Sequence, residues 1–192
     1  MSTLDKILIT PEAVRTSRVW FDNQIQAAAK LRLTPNKVLL DKSFHLTGTL
    51  TPGKLYFFFY DAKLKETLPY WDQFPLVFPL SRENGAFRGL NMHYLEYKPR
   101  MALLQELLKV NGNKGFSERK KIQISWGLCQ SMAKLAPAQA CIKMYLNDHL
   151  ASPFCEVVPE YWHTAMMLPV QRFVGASKEH VWADSKIKSR RK

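Results

Sequence analysis

Apolar positions are concentrated in residues 52–97, and most densely in the run Leu55-Tyr56-Phe57-Phe58-Phe59-Tyr60. A half-solvated strand alternates apolar and polar side chains; an unbroken apolar run predicts a strand buried on both faces. Pro52-Gly53 ahead of the run is a turn signal, and Asp61 to Lys65 behind it is a polar loop. A second apolar block, Leu68 to Leu80, leads into Glu83-Asn84-Gly85, a hairpin turn, and Phe87 to Leu95 reads as the returning strand. Pro69, Pro75 and Pro79 each remove a backbone donor, which a long flat central strand does not tolerate. The pattern therefore predicts an α+β fold around a small, strongly curved antiparallel, barrel-like β-sheet flanked by helices.

The flanking elements follow from caps and periodicity. Thr10-Pro11-Glu12 starts a helix running to about Lys30, with Val14, Trp20, Phe21 and Ile25 near one face. Trp20 and Phe21 make it a candidate interaction helix for a neighbouring subunit. Phe44, Leu46 and Leu50 alternate as a short strand. Pro99 opens a helix through Lys109, with Gly112 suited to a left-handed cap. Ile122 to Trp126 reads as a strand behind Arg119-Lys120-Lys121, the alternative being a helix from Ser117 onward. Residues 126–135 read as helix, and Pro137 starts another reaching about His149. Ser152 to Val158 is extended, and Pro159 precedes a short helix, Glu160 to Leu168, closed by Pro169. The chain divides into an N-terminal helix and lead-in arm (1–50), an α+β core (51–175) and a basic tail (176–192), the last with little apolar content and mobile in isolation.

Charge changes the picture more than composition does. The sequence has 28 Lys and Arg against 16 Asp and Glu, a net charge of +12. Such an excess favours a polyanionic partner, or a subunit whose charge is neutralised in an assembly. The candidate phosphate contacts are Arg119, Lys120 and Lys121 in mid-chain, and Lys186, Lys188, Arg190, Arg191 and Lys192 in the tail. No apolar run approaches the ~18 residues of a membrane span, and the N-terminus carries no secretion signal. Cys129, Cys141 and Cys155 are odd in number and widely spaced, which fits reduced, buried thiols of a cytoplasmic compartment.

Catalytic signatures are sparse. No Gly-rich phosphate loop is present, and the five histidines stand apart from one another and from the cysteines, so no metal site, cofactor or small-molecule substrate is predicted. Asp72 and Glu96-Tyr97-Lys98 loosely match a metal-dependent nuclease, but Asp72 precedes its strand and Lys98 runs into Pro99. The aromatic run offers stacking platforms for single strands, and its crowding reads instead as core.

The segments Pro52 to Lys63, Leu68 to Val77 and Gly89 to Leu95, with Glu160-Tyr161-Trp162 and Leu168 to Phe173, carry a resemblance. Together they resemble the DNA end protector family of contractile-tailed, T-even-related and cyanophage-type bacteriophages, over about residues 50–175. The resemblance implies a minor virion protein, synthesised in the bacterial host cytoplasm, that shields the packaged genome's terminus near the head–tail junction. It implies a double-stranded DNA end and neck, portal or tail proteins as partners, and no catalysis. The matching residues are aromatic, Pro and Gly, so no catalytic residue follows from them. A structural subunit of the neck, tail or baseplate, docking on acidic neighbours, stays open as the alternative, with the nuclease behind it.

Overall fold

The computed structural model describes residues 45–167 and 171–190. The strands are β1 (His45–Thr47), β2 (Leu55–Phe57), β3 (Trp71–Asp72), β4 (Leu76–Glu83), β5 (Ala86–Asn91), β6 (Ile142–Leu146), β7 (Phe154–Val157) and β8 (Phe173–Val174). The helices are α1 (Tyr97–Gly112), α2 (Glu118–Lys134), α3 (Ala136–Gln139), α4 (Trp162–Met167) and α5 (Lys178–Arg190). Six strands form one antiparallel sheet in the order β1-β7-β2-β4-β5-β6, and β3 pairs with β8 in a two-stranded ribbon. The α+β class and the antiparallel sheet match the sequence pattern; the barrel does not. Among the described residues β1 and β6 end the sheet and do not meet.

The prolines explain why no curling is needed. Pro69 and Pro75 lie outside the strands, and Pro79, paired with Gly89, is absorbed by a bulge that shifts the β4–β5 register between Pro79 and Ser81. Helix α2 meets the bulge: the Trp126 indole and the Gln130 amide donate to the Leu80 carbonyl at 3.3 and 3.1 Å. The predicted hairpin forms across Asn84-Gly85, with Gly85 at φ +69°, a conformation that an Asn-Gly turn supplies at little steric cost.

The Leu55–Tyr60 run is buried as its composition requires. Leu55 and Phe57 face the helices with Leu76, Phe78, Leu90, Cys155 and Val157, where α1, α2, α4 and α5 contribute Leu103, Leu104, Met132, Trp162 and Val181 among others. Tyr56 and Phe58 point to the opposite face with Val77, Phe87, Tyr145 and Phe154. Phe58 is the hub there, meeting Phe87, Tyr145 and Phe154 edge-on at centroid distances of 5.8, 5.1 and 5.3 Å.

Four helical expectations are corrected. Residues 118–134 are one helix, because Ser117 caps it through the Lys120 N–H and Ser125, Cys129, Met132 and Ala133 make a helical stripe. The segment after Pro137 is helical only to Gln139; Ile142–Leu146 is the edge strand, its residues alternating about the sheet and Tyr145 entering the aromatic face. Gly112 ends α1 without a left-handed conformation, the next residue Asn113 being extended. The stretch read as a mobile basic tail is α5, seated by buried Val181 and Ser185. The proposed Trp20/Phe21 helix and Phe44 lie outside the described residues.

Gly53 sits at φ +89°, and a Cβ there would come within 2.3 Å of the Ile122 carbonyl of α2. Gly53→Ala therefore combines a disfavoured backbone with a collision against helix backbone. A loss of at least about 2 kcal/mol is expected, measured by urea unfolding.

Candidate nucleic-acid interface

The predicted basic residues fall on two surfaces. Arg119, Lys120 and Lys121 occupy the first turn of α2, where the positive end of the helix dipole adds to their charge. Arg119 and Lys120 are exposed, and Lys121 is paired with Glu118 at 2.8 Å. Lys186 and Lys188 are on α5, each more than half exposed; Lys186 lies 3.6 Å from Glu96 and Lys188 2.7 Å from Asp184. Arg190 closes α5, and Arg191 and Lys192 lie outside the described residues. α5 packs on α3 and on the 92–94 turn, at the C-terminal end of α2. At 17 residues α2 is about 25 Å long, so its basic first turn lies far from α5. The structure keeps the two clusters apart.

What sequence reasoning missed is a buried polar network beside α5. His93, fully buried, directs Nδ1 to Asp72 Oδ2 at 2.8 Å. The Asn91 amide donates to the same oxygen at 3.1 Å and to the Tyr145 hydroxyl at 2.9 Å, while its carbonyl accepts the His93 N–H. Asp72 Oδ1 accepts from the backbone N–H groups of Phe74 and Arg172. Burial pushes the Asp72 carboxyl up, but the His93 imidazole and these donors outweigh it and hold the carboxyl below its ordinary value. Backbone carbonyls of the 93–95 turn then gather the helices. Trp182 of α5 donates to His93 O at 2.8 Å, and the buried Arg100 guanidinium of α1 donates to Leu95 O at 2.7 Å and to Met166 O of α4 at 2.8 Å. Burial lowers the Arg100 pKa to about 10.

Most of its hydrogen bonds tie side chains to backbone groups of other elements. Asp72 and Glu96 are held by different partners, His93 and Lys186, so the carboxylates of the nuclease match are not gathered around one point. Among the described residues no three His, Cys, Asp or Glu side chains come together as metal ligands. The three cysteines are free and buried, with burial raising the Cys141 thiol to about 12.

A family model described as Phage T4 terminal DNA protecting protein matches residues 5–191. The chain belongs to that family. No curated protein and no solved structure matches it. The family's name supplies the ligand class that charge alone left open: terminal DNA. Membership covers both basic surfaces and the aromatic sheet, a wider span than the motifs that carried the resemblance.

Within this terminal DNA protecting fold, Asp72→Ala is expected to cost about 3–5 kcal/mol, since it strands His93 in the interior. The pH dependence has a definite sign. A folded carboxyl held below its ordinary value stabilises at neutral pH, and that part is lost as pH falls through the folded value. Urea midpoints followed from about pH 5 to about pH 2 should therefore drop less for Asp72→Asn than for the wild type.

Proposed function

We propose that this protein binds the terminus of packaged phage DNA near the head–tail junction and shields it by occupancy, making and breaking no covalent bond. The match to the terminal DNA protecting family over residues 5–191 carries this reading. The net charge of +12 and two exposed basic surfaces support it. Arg119 and Lys120 on α2, and Lys186 and Lys188 on α5, meet duplex phosphates, and the charges of Arg190, Arg191 and Lys192 add to the attraction. The ion pairs of Lys186 and Lys188 are no obstacle. Exposed pairs are worth only about 0–1 kcal/mol, so phosphates displace Glu96 and Asp184 at small cost. An exonuclease that must thread a free end finds it covered. The protein then belongs to the virion, beside neck, portal or tail proteins.

A second reading, a neck, tail or baseplate subunit docking on acidic neighbours, draws on Ile187, half exposed between Lys186 and Lys188. An apolar side chain flanked by cations suits a protein surface better than a phosphate chain.

Linear duplex should be bound and protected from exonuclease, with closed circles bound more weakly. With about six phosphate contacts, affinity should fall roughly a thousandfold between about 50 and 200 mM salt. The double variant Lys186→Glu/Lys188→Glu should flatten that salt dependence. A shift of linear duplex that persists at several times that salt contradicts a phosphate-based mechanism. Co-assembly with tail components by a protein that ignores DNA selects the second reading.

A further inference from the structure

Along edge strand β6 a cleft of about 320 Å³ opens, lined by Tyr60, Tyr70, Trp71, Tyr94 and Tyr145 and by Lys143. Its volume is at the lower end of small-ligand sites, roughly 300–1,000 Å³. Three apolar rim residues stand out into water: Leu64 at 60 %, Met144 at 46 % and Leu68 at 41 % exposure. Lys143 is half-buried with Nζ 4.0 Å over the Tyr94 ring, and it makes no ion pair among the described residues. The carboxylates nearby are already engaged, Asp72 by His93 and Asn91, and Asp184 by Lys188 and the Tyr70 hydroxyl. Burial brings the Lys143 amine down to about 8, with Lys188 pushing the same way and Cys141 and Asp184 opposing in part. Aromatic walls, an uncovered apolar rim and an amine engaged in no ion pair match a base and its phosphate.

Resting on the reading that this chain binds DNA ends, we propose that the β6 cleft receives the terminal nucleotide of the duplex, its base against the tyrosine rings and its phosphate at Lys143. The last base pair is stacked on one side only, so its base is the least costly to draw out, whereas an interior base must leave two stacks. That difference gives a preference for ends that the phosphate surfaces cannot supply, because phosphates repeat identically along the duplex. A terminal nucleotide withdrawn into the protein also denies an exonuclease its starting point.

The test uses the full-length protein and short blunt duplexes with 2-aminopurine at both terminal positions of one end, or at an interior position. Binding should shield the terminal probe from acrylamide and leave the interior probe unchanged. Lys143→Gln and Met144→Glu, the second at an exposed rim position that leaves the core intact, should each weaken binding to linear duplex at least about fivefold. Binding to closed circles should not change, and an unaltered melting temperature confirms folding. If both variants keep wild-type preference for linear over circular DNA, or the terminal probe stays as accessible as in free DNA, the cleft is not the site, and the end-binding reading stands without it. If Met144→Glu loses a tail protein but no DNA affinity, the cleft is a protein surface and the proposal falls. Absence of binding to every DNA overturns this proposal together with the reading it rests on.

Discussion

The fold turns on a carboxylate and an imidazole buried side by side. Asp72 belongs to the small β3–β8 ribbon, and His93 to the turn that carries the chain from the sheet into α1. Burying either alone would leave an unpaired polar group of high cost, so each fixes the position of the other. Asn91 extends the pair to Tyr145 on the edge strand, and the Arg172 N–H closes it on the β8 side. The His93 and Leu95 carbonyls then receive donors from α5 and α1, and the Arg100 guanidinium reaches on to α4. One polar knot thus sets the mutual placement of the ribbon, strands β5 and β6, and three helices. Such specificity is what an apolar interface, tolerant of sliding, does not provide by itself.

Around that knot the sheet is an aromatic wall with two different faces. The helical face is filled with Leu, Met, Trp and Val side chains from four helices, the opposite face with rings packed edge to face around Phe58. Rings in this arrangement gain from their quadrupoles as well as from burial. Where the wall reaches edge strand β6, Tyr60 and Tyr145 of the rings around Phe58 also line an open cleft. The tyrosines beside it are therefore held rigid by the core that they complete, and a ligand would find its platform already formed.

Charge is distributed on a different principle. The cations of the two basic surfaces lie on helices, those of α5 beside the polar knot and those of α2 in its first turn, and Lys186 and Lys188 sit in exposed pairs that exchange partners easily. A protein that covers a DNA terminus needs both properties: loosely held cations for any phosphate, and a rigid feature that tells an end from an interior. Membership of the terminal DNA protecting family gives the excess positive charge its ligand class.

The strand pattern was legible because period and punctuation are local. The two-faced burial of Leu55 to Tyr60, the Asn84-Gly85 hairpin, the helix after Pro99 and the extended stretch before Pro159 all follow from spacing and turn chemistry. The motifs of the aromatic region also carried the family. Local pattern misled where tertiary partners decide: the Ile122–Trp126 stretch is helical because Ser117 caps it and α1 receives its stripe, and Ile142–Leu146 is a strand because β5 offers an edge. The open sheet depended on a bulge carbonyl satisfied by Trp126 and Gln130, residues some fifty positions away. The same holds for the pairing of Asp72 with His93 and for the setting of Lys143 over Tyr94, since proximity across 21 or 49 residues leaves no mark on spacing. The sequence by itself determined the aromatic sheet, its turns and the excess of positive charge; the tertiary structure alone decided which polar groups meet in the dry interior and which cation faces an aromatic cleft.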